Sequence, residues 1–380
     1  MKPLMEIKDV KVMCPVRKKY LPAVDGVNMT IYPGEIVGIV GESGSGKSVM
    51  SQSILRLRDY DSDVKYEGEI LFEGQNLLNL PLKQLQEIRG NKISVIFQNP
   101  LTSLSPVHTV GKQLDEVLIL HKNMSKQEAR KRSMELLKLT GIPSPERCVK
   151  QYPFELSGGM QQRVMIAMAL ACEPSLLIAD EPTTALDVTI QEQILNLIVE
   201  LNEKLGMSVL FITHDMGAVA QLCHSVRVMY LGQIVEEAKT EQLFEHPLHP
   251  YTKGLLACIP TMNVKLDEPL PVISGNVPAL SAVPKGCHFC TRCPYVTEQC
   301  KKEEPPVISI DETHKVKCWN YVNGYRNQKE EKIQEQEKQV NQKVVQETKE
   351  RLKQEIEQNM KEQPKQKVQQ KSKKQVKRKE

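Results

Sequence analysis

No stretch of this 380-residue chain approaches the roughly 18 consecutive apolar residues that a membrane-spanning helix needs. The first residues (Met1, Lys2, then Glu6, Lys8, Asp9 and Lys11) lack the apolar core of a secretory signal, so the chain is expected to stay in the cytoplasm. In that compartment thiols are kept reduced, which excludes a disulfide framework despite 10 Cys. The chain also lacks a general excess of one charge. There are 51 Lys plus Arg against 47 Asp plus Glu, and the surplus sits in residues 327–380, which hold 16 basic and 10 acidic residues. The rest of the chain is slightly acidic and is not a general nucleic-acid binder.

Composition is otherwise that of a globular protein, with 40% apolar and 26% charged residues and room for two or three folded units. Ile36-Val37-Gly38-Ile39-Val40, Leu176-Leu177-Ile178-Ala179 and Val209-Leu210-Phe211-Ile212 read as buried strands. Helices are predicted over residues 47–56 and 191–205. Strands and helices alternating at this length predict a mainly parallel sheet covered by helices. Residues 110–171 read as a helical insertion, clearest over 126–140. Beyond residue 235 the chain turns Pro-rich and loop-rich. In the tail, 39 of 54 residues are Lys, Arg, Glu, Asp or Gln. That leaves little apolar surface to bury and predicts disorder or a solvated helix, with a weak contact to anionic lipid or RNA as an open alternative.

Gly41-Glu42-Ser43-Gly44-Ser45-Gly46-Lys47-Ser48 fits G-x-x-x-x-G-K-[ST] between a predicted strand and a predicted helix. Backbone N–H groups freed by the glycines can curl round a phosphate, and the helix N-terminus adds its dipole. Lys47 would reach the β- and γ-phosphates and Ser48 would ligate Mg²⁺. A second signal is the apolar run to Ala179 that ends in Asp180-Glu181. There Asp180 is placed to hold Mg²⁺ and Glu181 to take a proton from an attacking water. Taken alone, the two acids could equally cap a helix that opens at Pro182. Leu156-Ser157-Gly158-Gly159-Met160-Gln161 precedes an apolar helix and is either another anion-binding helix start or a plain N-cap with flexible glycines.

Together these segments resemble the ATP-binding subunits of ABC transporters over about residues 5–235. The resemblance makes residues 41–48 Walker A, Gln98 in Ile96-Phe97-Gln98-Asn99-Pro100 the Q-loop glutamine, and residues 156–161 the signature, with Ser157, Gly158, Gly159 and Gln161 facing nucleotide. Residues 176–180 with Glu181 become Walker B, Ala185-Leu186-Asp187 the D-loop, and His214 in Thr213-His214-Asp215 the switch histidine. It implies that Gln98 joins Ser48 and Asp180 around Mg²⁺ and senses the γ-phosphate, that Glu181 and His214 act on the attacking water, and that Tyr20 stacks on adenine. Asp187 would couple two ATP sites across a head-to-tail dimer.

Within that family the chain is similar to the D-type ATPases of oligopeptide and dipeptide permeases. Gly46-Lys47-Ser48-Val49, Asn99-Pro100-Leu101-Thr102-Ser103-Leu104, Asp187-Val188-Thr189 and His249-Pro250-Tyr251 carry this likeness. The partner F-type subunit usually has Thr where Val49 stands. Cys287, Cys293, Cys300 and Cys318 are similar to four cysteines that hold a [4Fe–4S] cluster in D-type subunits; Cys290 departs from that pattern. Four thiolates also suit zinc, although only Cys290 and Cys293 have the C-x-x-C spacing zinc favours, and a cluster of thiols without metal is the third reading.

The expected fold is therefore α/β: a P-loop NTPase of ABC type over residues 1–235, with a helical subdomain over about 105–171. A Cys-bearing extension over 236–326 and a low-complexity tail over 327–380 follow. The resemblance implies hydrolysis of ATP with Mg²⁺, driving peptide uptake from the cytoplasmic face of the cell membrane. Its implied partners are two transmembrane permeases, a second F-type ATPase forming a heterodimer and, indirectly, an extracytoplasmic peptide-binding protein, with no specific nucleic acid. Import of nickel or an opine by the same engine, a soluble ABC ATPase acting on ribosomes or DNA, and a non-hydrolysing subunit are the alternatives.

Overall fold

A computed structural model describes residues 2–60, 63–99, 103–184, 186–259 and 271–324. Strands β1 (Met5–Val16) and β2 (Lys19–Ile31) form a hairpin, and the short β3 (Ile36–Val40) enters the centre of the molecule. Helix Lys47–Ile54 follows. Strands β4 (Lys65–Phe72) and β5 (Gln75–Asn76) return to the hairpin, giving a four-stranded antiparallel sheet of order β2-β1-β4-β5. Nothing in the sequence patterning above predicts this sheet. Its strands face a core on one side and solvent on the other, and glycines and bulges interrupt their alternation, as at the register shifts between Ile7 and Met13.

The second sheet holds β6 (Ile93–Ile96), β7 (Leu176–Asp180), β8 (Ser208–Thr213), β9 (Ser225–Tyr230), β10 (Gln233–Lys239), β11 (Val307–Ser309) and β12 (Lys315–Lys317) together with β3. Its order is β11-β12-β10-β9-β3-β8-β7-β6. The five strands from β9 to β6 are parallel, and the three at the other edge are antiparallel. Every residue of β3, β7 and β8 is buried, which accounts for their continuous apolar sequences.

Period two sorts these strands between two apolar layers. Ile36, Val40, Leu177, Ala179, Val209 and Phe211 join the layer that includes the helical subdomain. Val37, Ile39, Ile178, Leu210 and Ile212 join the layer under the antiparallel sheet, where Met50 and Ile54 of helix Lys47–Ile54 also lie. At about 1.5–3 kcal/mol per buried aliphatic side chain, this alternation fixes the register of each strand. It also determines where the chemistry falls. Asp180 continues the Ile178 face, so its carboxylate emerges against helix Lys47–Ile54.

Helices Val110–Lys122, Lys126–Leu139, Pro145–Cys148 and Gly158–Ala169 form the insertion between β6 and β7. Thr109 caps the first, and Ser125 with Glu128 makes a capping box at the second. Arg130 ties those two helices through Asp115 at 2.6 Å. Among the described residues, no helix is long and apolar enough to cross a membrane.

Candidate nucleotide site

The glycine loop between β3 and helix Lys47–Ile54 is held by close approaches that only glycine permits. A Cβ on Gly41 would lie 2.2 Å from the Met229 carbonyl oxygen. Gly46 caps the helix at φ 104°, and a Cβ there would meet the Ala23 carbonyl oxygen at 2.7 Å. Lys47 is 5% exposed, and its Nζ donates to the carbonyls of Gly41 at 2.8 Å and Glu42 at 3.1 Å. Burial holds the Lys47 ammonium below its usual range, opposed by the nearby carboxylates of Glu181, Asp180 and Glu42. Ser45 Oγ is buried without a partner inside the same loop.

Asp180 accepts from Ser48 Oγ at 3.1 Å and from Ser51 Oγ at 3.2 Å. Burial raises its pKa, while the two hydroxyl hydrogen bonds oppose the shift. A hydroxyl beside one carboxylate is a hard oxygen pair of the kind that shares Mg²⁺ with phosphate and water. The loop's geometry, the unpartnered Ser45 hydroxyl and this oxygen pair fit a phosphate group and its Mg²⁺.

Glu181 is the point of convergence. Its Oε2 accepts from Gln98 Nε2 at 2.9 Å and from Thr184 Oγ1 at 3.0 Å. Its Oε1 lies 3.5 Å from His214 Nδ1 and 4.0 Å from Lys47 Nζ. The backbone adopts φ 49° at Glu181, a left-handed conformation that costs a non-glycine residue about 1–3 kcal/mol. The strain is supported by its N–H, which donates to the Ile212 carbonyl at 2.8 Å. The ends of four elements thus meet: the glycine loop, the segment after β6, β7 and the segment after β8. Gln98, Lys47, Glu181 and His214 are expected here from sequence, whereas Thr184 and Ser51 are ordinary hydroxyls one turn from an expected residue and carry no sequence signal of their own.

The other expected site residues lie apart. Ser157 caps helix Gly158–Ala169, accepting from Met160 N–H at 3.4 Å. The turn packs toward the segment after β7, where a Cβ on Gly159 would be 2.9 Å from Ile190 Cγ2 and one on Gly158 would be 3.9 Å from Leu186 Cδ2. Gln161 is 5% exposed, and its amide donates to the carbonyls of Pro153 at 2.8 Å and Leu156 at 3.2 Å, so that amide braces the turn. Asp187 caps helix Val188–Leu205 through the Ile190 N–H at 3.0 Å; Ala185 lies outside the described residues. Tyr20 sits on the β1–β2 hairpin, with Lys65 Nζ 4.0 Å from its ring centre and its hydroxyl bonded to Asp63. Beside Gln98, an open cleft of about 260 Å³ is lined by Phe97, Leu104, Met165 and Met168.

The extension reaches this site. Buried Glu236 on β10 accepts from the N–H groups of Leu248 and His249, each at 2.8 Å, and pairs with His314 Nε2 at 2.8 Å. His249 caps helix Pro250–Ala257. Tyr251 then presents its hydroxyl to the Glu42 N–H at 2.7 Å, within an aromatic cluster with Tyr230 and Phe289. Arg292 binds the Glu42 carboxylate with both terminal nitrogens, at 2.6 and 3.1 Å. His249-Pro250-Tyr251 reads from sequence as a Pro-rich turn, and nothing local marks Arg292 as a partner of a residue 250 positions earlier.

All ten cysteines are free thiols. Burial pushes Cys287 and Cys318 up to about 12 and Cys293 to about 11, and neighbouring thiols add to each shift. Cys287, Cys293 and Cys300 are the thiols that act on Cys318. These four supply the donor type of an iron–sulfur centre but are not drawn into a ligand set. Among the described residues, no group of three or more His, Cys, Asp or Glu side chains is arranged to hold a metal ion. The expected cluster therefore finds no geometric support.

A glycine loop feeding a helix, a strand-end Asp-Glu pair and an inserted helical subdomain define an ATP-hydrolysing P-loop protein of the ATP-binding cassette class. The family described as ABC transporter matches residues 24–184, and the one described as oligopeptide/dipeptide transporter, C-terminal region, matches residues 235–300. The chain is 50% identical over 316 residues to the oligopeptide transport ATP-binding protein OppD of Bacillus subtilis (strain 168), covering 83% of this chain and 88% of that protein. It is 49% identical over 316 residues to the probable peptide ABC transporter ATP-binding protein y4tR of Sinorhizobium fredii, covering 83% and 94%. A solved dimeric bacterial ABC transporter cassette, MJ0796, superposes with a TM-score of 0.56 at 35% identity, covering 62% of this chain and 98% of that one. The chain belongs to the ABC transporter ATP-binding proteins of the oligopeptide/dipeptide type.

Proposed function

We propose that this chain hydrolyses ATP to drive import of peptides through separate membrane permease subunits. The observation that carries the reading is the convergence of Gln98, Thr184, His214 and Lys47 on Glu181, beside the Ser48–Asp180 oxygen pair. In this reading Lys47 and the loop amides of Ser43, Gly44, Ser45 and Gly46 hold the phosphates, and Ser48, Asp180 and Gln98 hold Mg²⁺. Mg²⁺ supplies charge neutralisation at the transferring phosphoryl group. Glu181 accepts the proton of the attacking water, and His214 orients that water against the γ-phosphate. Ser157, Gly158 and Gly159 serve the site of a partner ATPase in a head-to-tail dimer, with Asp187 between the two sites. Tyr20 is proposed to meet the adenine.

Peptides are proposed as solute because the relatives are named for peptide, oligopeptide and dipeptide transport. The partners proposed are two permeases and an F-type ATPase, and the mainly apolar cleft beside Gln98, which also holds Arg89 and His121, is proposed as the groove for a permease segment. The chain would then work at the cytoplasmic face of the membrane. The proposed division is a nucleotide-binding domain over residues 1–235, an extension over 236–326 and a tail over 327–380. Assembled with both permeases and the second ATPase, the chain is expected to raise its ATP turnover when peptide-loaded binding protein is added. A response to nickel or an opine would assign the other solute, and turnover dependent on ribosomes would overturn the transport reading.

For Cys287, Cys293, Cys300 and Cys318 a structural [4Fe–4S] cluster is proposed on donor type and on their likeness to the four cysteines of D-type subunits, not on their arrangement. Anaerobically purified protein is expected to carry about four iron atoms per chain. Stoichiometric zinc without iron would overturn the assignment.

A further inference from the structure

Glu42 places a carboxylate inside a loop built to receive a polyanion. Lys47 Nζ donates to the Glu42 main-chain carbonyl at 3.1 Å, so this carboxylate belongs to the residue that the phosphate-binding lysine already holds. An unanswered carboxylate at this position would repel ATP. The structure gives it an answer from the far end of the chain. Arg292 stands between Cys290 and Cys293, and its side chain is 3% exposed, whereas that of Glu42 is 31% exposed. Its guanidinium is fixed independently of Glu42. Nε donates to the Ser274 carbonyl at 3.0 Å, Nη2 donates to the Ile273 carbonyl at 3.2 Å, and the group lies 5.9 Å from the centre of the Tyr230 ring. A planar fork held by backbone carbonyls and aimed at one carboxylate is a pre-organised bidentate receptor. Tyr251 fixes the same residue through its backbone N–H.

We propose that Arg292 of the C-terminal extension acts through Glu42 to set ATP affinity, cancelling a negative charge that the phosphate loop otherwise presents to the nucleotide. The inference rests on residues 41–48 being the ATP phosphate site. It gives the extension a role in nucleotide binding that a separate appendage would not have. The pair is partly shielded from solvent, so screening by salt is incomplete and its loss should be measurable at physiological ionic strength.

The test is equilibrium binding of ATP·Mg²⁺ to the full-length chain, with thermal unfolding followed in parallel. Arg292→Met is expected to weaken binding roughly tenfold, and more at low salt than at high salt, because Glu42 is left uncompensated. The double variant Arg292→Met with Glu42→Gln should recover to within about threefold of the unaltered chain while the unfolding midpoints of the single and double variants coincide, which separates charge at the loop from loss of folded protein. Glu42→Gln alone should bind ATP at least as tightly as the unaltered chain, and this arm does not depend on Arg292→Met folding. Unchanged affinity in folded Arg292→Met, no rescue in the double variant, or a loss of affinity in Glu42→Gln would each overturn the inference. Failure of the unaltered chain to bind ATP would instead overturn the reading of the site, and this inference with it.

Discussion

Single residues here draw their chemistry from where an alternating strand releases them. Asp180 and Glu181 are adjacent in sequence but leave β7 toward different partners. Asp180 continues the Ile178 face toward Ser48 and Ser51, whereas the left-handed backbone at Glu181 turns its side chain toward Gln98, Thr184 and His214. Ser51 donates to the buried Asp180 carboxylate and opposes the upward shift that burial imposes on it. Ser51→Ala removes one of the two hydroxyls that oppose the upward pKa shift, so protons should compete better with Mg²⁺. The Mg²⁺ concentration needed for half-maximal ATPase activity is expected to rise, more at pH 6 than at pH 8. Identical Mg²⁺ dependence of variant and unaltered protein at both pH values would contradict this role.

At the scale of elements, the glycine loop, the strand-end acids and the capped Ser157-Gly158-Gly159 helix start are legible in the sequence because each couples a fixed spacing to a backbone requirement. The antiparallel sheet was not legible, because its half-buried, bulged strands carry only a weak alternating signal. Neither was the contact of helix Pro250–Ala257 with the phosphate loop, because sequence spacing says nothing about which distant loop a hydroxyl meets. That helix depends on His249, which is 1% exposed and caps it while packed against Phe289. Burial, with Lys253 adding to it, pushes the imidazole pKa down to about 3 from its ordinary 6.5. The folded state therefore holds His249 neutral while the unfolded chain protonates it. The stability this provides is complete above about pH 6.5 and is lost as pH falls toward 3. Between pH 7 and pH 5 this amounts to about 2 kcal/mol. His249→Asn retains a capping side chain without the titration, so urea unfolding at the two pH values should show a smaller loss in the variant. An equal loss in both proteins would remove His249 as the source.

At the scale of the whole molecule, the extension is continuous with the core. Strands β11 and β12 add to the edge of the central sheet through β10, Glu236 pairs with His314, and Arg292 holds Glu42. The charged tail over residues 327–380 lies outside the described residues and carries no phosphate-binding feature in its sequence. Truncation after residue 326 is expected to leave ATPase activity within about twofold. A collapse of activity would make the tail part of the machine.

This chain's own Glu181 is proposed to activate water for ATP hydrolysis, and ATP turnover by Glu181→Gln in the assembled transporter reads that role without an intermediate step. ATP binding should persist because Lys47, Ser48 and Asp180 are untouched, while turnover at this site should fall by ~10²–10⁴. Paired with a partner ATPase whose own catalytic carboxylate is also replaced, the complex should be silent, and restoring Glu181 alone should recover hydrolysis. Near-normal turnover in that doubly substituted complex, with ATP bound at both sites, would remove Glu181 from the hydrolytic step.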